Sequence, residues 1–317
     1  MAINTKVIKR RIKSISSTKK ITKAMEMIAA AKMRKAVNAA LDTRAYASVA
    51  WELLVQLSKM QKTQAPLLET RPVEKMLVIM ITSNRGLCGS FNANIIKKTA
   101  AQMNNPKKIA VQFADGKEIN PHDNISIDVI GIGKKGADFA KKMGYNLIAA
   151  FSDMSDTPTF ENALPIAKMV IRAYEEKKYD KVVVAYTDFK SALSQTARLR
   201  QVLPVSERDL EATISELKDL SGQGNTNLQT KLNDYLFEPN KTEVLQVILP
   251  RLVETQVYQT LLESSASEHS SRMVAMKNAS EAAKDMINEL NLTFNKARQA
   301  GITQEIAEIA GGAAALE

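Results

Sequence analysis

The chain has 317 residues, 45% of them hydrophobic and 5% aromatic, with a net charge of +10. That length allows one large domain or two smaller ones, and so few aromatics argue against stacking platforms for single-stranded nucleic acid. The lone Cys88 excludes an internal disulfide and fits a reducing compartment. His122 and His269, the two histidines, are too far apart in sequence to suggest a metal-ligand cluster. The longest apolar run, MLVIMI at 76–81, is strand-sized; crossing a bilayer takes about 18 to 20 residues. The opening MAINTKVIKRR lacks the apolar core of a signal peptide. A protein that begins and stays on the cytosolic side, without a membrane span, is therefore expected.

Charge is distributed unevenly. Residues 1–60 carry 13 Lys or Arg against 3 Asp or Glu, whereas residues 243–317 carry 6 against 10. The first segment, residues 1–65, is helix-like: from position 3 to about 59 it holds neither Pro nor Gly, and Ala, Met, Lys and Arg favour helix. Small or apolar residues recur at Ile8, Ile12, Ile15, Thr18, Thr22, Met25, Ala29, Met33, Ala36, Ala40, Ala47, Trp51 and Leu54. Most gaps are three or four, which is one seam of a helix. Such a helix is ~85 Å long.

Residues 72–205 read as an α/β domain. Apolar strand-like runs occur at 75–82, 107–115, 125–133, 146–151 and 181–187, with helical patterns at 91–103, 134–143 and 163–178. Continuous apolar strands alternating with helices predict a largely parallel, Rossmann-like sheet, and 196–204 adds an edge strand. Between the first strand and the first helix lies SNRGLCGSFN, residues 83–92. Its Gly86 and Gly89 invite a phosphate-loop reading. The loop lacks the third glycine of a dinucleotide fingerprint and the lysine of a P-loop, so a strand-to-helix turn is the better reading. Residues 206–239 form a polar insertion or linker followed by the segment DYLFEP at 234–239.

The last segment, 240–317, is helical again. Asn240 and Glu243 have capping-box spacing, and Pro250 is expected to kink the first turns or to mark the true start. The tail places Ile302, Ile306, Ile309, Ala313 and Leu316 at gaps of four, three, four and three, a coiled-coil seam. Two long helices from one chain, opposite in charge, pair most simply with each other, antiparallel, because the intervening domain returns the chain. No H-E-x-x-H, C-x-x-C or G-x-S-x-G pattern is present, and Asp115, Asp123 and Asp128 read as isolated solvated acids. These features predict a rod on an α/β body with no evident catalytic, cofactor or metal site.

Four stretches, KITKAMEMIAAAKMRKA (20–36), SNRGLCGSFN (83–92), ETQVYQTLLESSASEHSSRMVAMKNAS (254–280) and NKARQAGITQEIAEIAGGAAAL (295–316), resemble in order the gamma subunit of F-type ATP synthases. The resemblance implies a non-catalytic central rotor. Its antiparallel coiled coil would enter the ring of alpha and beta subunits, and its globular domain would sit against the epsilon subunit and the membrane c-ring. Torque would couple proton flow to ATP synthesis at the cytoplasmic face of a bacterial membrane, with no cofactor and no nucleic-acid partner. It also implies that Met25, Arg298, Gln299, Thr303 and Glu305 meet the alpha/beta hexamer, Met25 lying level with Arg298, Gln299 and Thr303. Arg34 and Lys35 would lie lower, and Tyr235 and Glu238 would face the c-ring and epsilon. The cysteine pair of photosynthetic relatives is absent from 206–230, so no redox switch is expected. Two other readings stay open on residues alone: a basic coiled-coil adaptor for nucleic acid, and a nucleotide-binding α/β enzyme using the 83–92 loop.

Overall fold

The computed structural model describes residues 5–60, 65–114, 117–152, 157–206 and 240–314. Two helices dominate: α1, Thr5–Met60, and a C-terminal helix, Lys241–Ala314. The chain divides into two compact units, residues 1–30 with 272–317, and residues 31–271.

The first unit is a helix pair. α1 leaves it at Ala30 while the C-terminal helix enters it at Arg272, so the two segments run antiparallel. Ile8, Thr22 and Ala29 of α1, and Met276, Ser280 and Ala283 opposite, are buried. Ile12, Ile15 and Met25 of the expected seam are half-buried. Thr18 is the exception: it is exposed, with its hydroxyl donating to the Ser14 carbonyl at 3.2 Å. The small Ala29 and Thr22 let two backbones approach closely, which a slender pair requires. In the second unit the same seam of α1 continues through buried Ala36 and Ala40. Ala47, Trp51 and Leu54 lie beyond the described side chains.

The second unit is built on a five-stranded sheet. Its strands are β1 (Lys75–Ile81), β4 (Ser126–Ile132), β5 (Asn146–Phe151), β6 (Lys181–Phe189) and β7 (Gln195–Leu203), in the order β5-β4-β1-β6-β7. The first four are parallel, and β7 is an antiparallel edge on β6. Central β1 is apolar on both faces because both are covered. Met76 and Val78 pack with Ile95 of α2 (Phe91–Met103). Leu77, Ile79 and Ile81 pack with Ile166 and Val170 of α5 (Phe160–Glu175) and with Leu252, Val257 and Leu261 of the C-terminal helix. α4 (Lys134–Lys142) covers β4 and β5.

One expectation is corrected, and one of two alternatives for Pro250 is ruled out. Residues 107–114 add no strand to the five-stranded sheet. Pro106 opens a short helix, α3 (Pro106–Ala110), and β2 (Gln112–Ala114) then pairs only with β3 (Lys117–Ile119). Proline at the first helical position is pre-set for helix and gives up only an orphan donor, which outweighs the apolar character of the run. Pro250 neither starts nor ends a helix: α6, the C-terminal helix, is continuous from Lys241. The Glu243 amide donates to Asn240 Oδ1 at 2.9 Å, and Asn240 Nδ2 donates to Glu243 Oε1 at 2.6 Å, so the capping box forms. Burial of Leu249, Leu252 and Val253 on either side of the proline offsets the ~3 kcal/mol cost of proline inside a helix. The insertion 207–239, with Tyr235 and Glu238, lies outside the described residues.

Candidate functional site

The 83–92 loop sits at the carboxyl end of β1, next to the point where the sheet order reverses, the usual ligand crevice of an open α/β sheet. Its polar groups are turned inward. Asn84 Oδ1 accepts the Lys134 amide at 3.0 Å, and Thr82 Oγ1 accepts the Gly136 amide at 2.7 Å, so the first amides of α4 are capped from within the chain. Ser83 donates to the Arg85 carbonyl at 2.6 Å, and Asn92 ties the loop together by accepting the Ser83 amide at 3.0 Å. Leu87 and Gly89 take positive φ, 62° and 56°. Cys88 is buried, with Asn92 Nδ2 3.2 Å from its sulfur. Gly133 is required here: at φ +87° a Cβ would stand 2.1 Å from the Thr82 carbonyl oxygen.

The crevice itself is occupied by α6. From Leu252 to Ser270 every residue of that helix is buried except Tyr258 and Glu268. Its serines seat on the loop after β6 and the end of that strand: Ser267 donates to the Thr187 carbonyl at 3.0 Å, and Ser270 to the Ala192 carbonyl at 2.6 Å. Gln256 reaches the Gln201 carbonyl of β7 at 3.2 Å. What remains beside the loop is a cavity of about 50 Å³ lined by Thr82, Asn84, Gly133, Leu261 and Ser264, far below the roughly 300 Å³ of the smallest ordinary ligand pocket. The loop is the strand-to-helix turn expected from its glycines, and this cavity is too small for a nucleotide.

The burial of 252–270 was not legible from charge pattern. Its Glu254, Gln256, Gln259, Glu263 and His269 look like a solvated face in sequence, yet each is buried. Gln259 and Glu263 meet at 3.0 Å along the helix, and Arg251 holds Glu254 at 3.0 Å from its exposed side.

The helix pair has the opposite character. Ala297 is the last half-buried residue of α6; from Arg298 to Gly312 every residue is exposed. Ile302, Ile306 and Ile309, expected to form a coiled-coil seam, are 49%, 61% and 73% exposed. Arg298, Gln299, Thr303 and Glu305 all project from this bare stretch. Met25 is half-buried on α1, only five residues from the unit's boundary, whereas Arg298 lies 26 residues from it. Arg34 and Lys35 are exposed in the second unit.

Sequence reasoning missed one further feature of the pair. Ile21 and Ile28 are 60% and 56% exposed, on either side of Met25. Their spacing of seven, offset from the seam positions, was the available signal. Among the described residues no group of His, Cys, Asp and Glu could hold a metal ion, and no helix is long and apolar enough to cross a membrane.

Comparison with known proteins agrees with this geometry. The family described as ATP synthase matches residues 4–316. The ATP synthase gamma chain of Chloroflexus aurantiacus is 40% identical over 317 residues, covering 99% of both chains. That of Heliobacterium modesticaldum is 42% identical over 310 residues, covering 98% of both. Among solved structures, a chain of the central stalk and c-ring of the Tetrahymena thermophila mitochondrial ATP synthase is 26% identical, with a TM-score of 0.54 over 82% of this chain and 99% of that one. A chain from the Euglena gracilis mitochondrial ATP synthase shares the fold at 20% identity, with a TM-score of 0.61 over 98% of this chain and 94% of that one. Matched over nearly its whole length by that family and by relatives about 40% identical, the chain belongs to the ATP synthase gamma-chain family.

Proposed function

We propose that this chain is the central rotor shaft of a proton-driven ATP synthase, a non-catalytic subunit that carries torque between a membrane c-ring and a head of alpha and beta subunits. The observation that carries the reading is the bare end of α6. Fifteen consecutive exposed residues, 298–312, keep Ile302, Ile306 and Ile309 at helical spacing with no partner in the described chain. A regular apolar stripe on a lone helix needs a covering surface. A sleeve formed by the alpha/beta hexamer supplies one, and small residues beside the stripe let the helix turn without snagging.

Torque needs a shaft that resists bending and contacts that differ around its circumference. The antiparallel pair with buried Ala29 and Thr22 meets the first need. For the second, Met25 flanked by exposed Ile21 and Ile28 forms one contact level, and Arg298, Gln299, Thr303 and Glu305 form another. Arg298 and the basic surface of α1 would attract acidic loops of the beta subunits at each stop. Tyr235 and Glu238 would meet the c-ring and epsilon at the foot, and the subunit would work peripherally at the cytoplasmic face of a bacterial membrane.

Reconstitution tests the reading. Isolated alpha and beta subunits are mixed with and without this chain, and ATP hydrolysis is followed. A strong rise in turnover on adding the chain is expected, and indifference to it would sink the rotor assignment. At the Met25 level, Met25→Lys adds a cation able to make a charge-assisted hydrogen bond to a beta-subunit carboxylate. In vesicles carrying the whole complex, proton pumping per ATP hydrolysed should then fall; an unchanged ratio removes Met25 from the contact set.

A further inference from the structure

The segment GIGKKG, residues 131–136, runs from the end of β4 into α4 with the glycine spacing of a dinucleotide fingerprint. In such a motif the first amides of the helix hold a phosphate. Here each of them is spent inside the chain. The Lys134 amide donates to Asn84 Oδ1 at 3.0 Å, the Lys135 amide to the Ser83 carbonyl at 3.3 Å, and the Gly136 amide to Thr82 Oγ1 at 2.7 Å. The Ala137 amide closes the first turn on the Gly133 carbonyl at 3.4 Å. A phosphate therefore finds no amide donor at this helix end.

The self-capping leaves other polar groups over, and they meet at the cavity of about 50 Å³ beside the turn. Asn84 Oδ1 is occupied, but its Nδ2 has no partner among the described residues. On the helix side, Ser264 of α6 is 2% exposed, and its hydroxyl has no hydrogen-bond partner among the described residues. Both residues line the cavity. Buried hydroxyls in folded proteins are satisfied by the chain or by ordered water. At roughly 10–15 Å³ per molecule, the cavity has room for about three to five waters. We propose that it is a resident water site, in which a small cluster joins Ser264 Oγ on α6 to Asn84 Nδ2 on the 83–92 turn. An anion is disfavoured there, because the Glu268 carboxylate also lines the cavity and the α4 amides are taken. An apolar guest is disfavoured too, because it would leave both polar groups unpaired. The seat of α6 is then wet at this level, whereas Leu252 and Val257 pack the same helix into the apolar cluster of Leu77 and Ile79.

These groups all belong to one compact unit, residues 31–271. The full-length chain without other subunits is therefore the right material, and failure here is separate from failure of the rotor reading. Long-lived waters are counted by oxygen-17 magnetic relaxation dispersion in wild type, Ser264→Val and Ser267→Ala. Ser264→Val removes the hydroxyl and fills the space, so the count should fall by roughly two or more waters. Ser267 donates directly to the Thr187 carbonyl, so Ser267→Ala should leave the count unchanged. Equal counts in wild type and Ser264→Val would overturn the site. An equal fall in both variants would also overturn it, since it would mark a general loosening of α6. A crystal structure of the wild-type chain adds a check free of any substitution. Connected water density from Ser264 Oγ to Asn84 Nδ2 would support the site. A direct bond from the Ser264 hydroxyl to a protein group would overturn it, as would xenon held there under pressure, the mark of a dry cavity.

Discussion

Two stretches of the same helix behave in opposite ways. Residues 252–270 of α6 are buried nearly all round, although they include Glu254, Gln256, Gln259, Glu263 and His269; residues 298–312 are exposed all round, although they include Ile302, Ile306 and Ile309. Both are helical, and both mix apolar with polar side chains. The contrast teaches that burial here follows the available partner and not hydrophobicity. The first stretch lies on the sheet face made by Ile79, Ile81, Val184 and Tyr186, and its Gln256, Ser267 and Ser270 donate to carbonyls on β7, β6 and the loop between them. The second has no such surface in its own chain.

The largest effect should come from the buried stretch. Leu252→Ala and Leu261→Ala each empty a fully packed site and should cost about 2–5 kcal/mol of unfolding free energy in the isolated chain, read by urea titration. A loss below ~1 kcal/mol would mean that α6 is only loosely seated. Ser267→Val should come next: it removes the buried hydrogen bond to the Thr187 carbonyl and should cost about 1–3 kcal/mol, with thermal unfolding as the check.

Alkaline pH probes the same packing. Burial, chiefly, pushes the Tyr186 phenol up, with the nearby Glu263 carboxylate adding to it; burial likewise raises Tyr174, although the Arg71 guanidinium opposes it. A folded value above the unfolded one stabilises the chain below the unfolded value, and that stability is lost as pH rises. The midpoint of unfolding should therefore fall as pH is raised past roughly 10, the ordinary tyrosine value. Tyr186→Phe should flatten part of that fall; an identical pH profile would mean that Tyr186 is not held neutral by the fold.

At the start of α6, Asn240→Ala removes the capping box and should cost about 1 kcal/mol, measurable by amide exchange in the first turn. The smallest change in stability is expected at the bare end. Ile306→Asp should alter unfolding of the isolated chain by less than about 0.5 kcal/mol, yet weaken association with alpha and beta subunits at least tenfold. A variant that unfolds the isolated chain would show that the stripe is covered by the chain itself.

Much of this was legible in the residues. Ile8, Thr22, Ala29, Ala36 and Ala40 fall on one seam by spacing alone, and all are buried. The strands β1, β4 and β6 announce themselves as apolar runs, because a sheet covered on both faces has no polar side to alternate with; β5, at the edge and exposed at alternate residues, is not covered in that way. The Asn240–Glu243 box was readable because its two hydrogen bonds are local. Errors arose where distant packing outvoted local preference. Pro250 breaks a helix in isolation and is carried here by the core around Leu249 and Leu252. The apolar run at 107–115 looks like a strand, but Pro106 starts a helical turn first. In the candidate site the residue types were readable, while the half-burial of Met25 and the exposure of Arg298, Gln299, Thr303 and Glu305 depend on where the two helices meet.

By itself, the sequence determined the periodicities: two long helices at the ends, a parallel sheet between them, and a glycine-rich turn lacking the residues a phosphate cradle needs. These are local quantities, set by side-chain spacing, propensity and the absence of Pro and Gly. Tertiary structure decided which apolar stripes are satisfied within the chain and which are left open. It set α6 into the crevice that an α/β sheet ordinarily reserves for a ligand, and it left the fifteen residues after Ala297, 298–312, exposed. No periodicity contains that outcome, because burial is a property of the facing surface, and the facing surface exists only once the chain has folded.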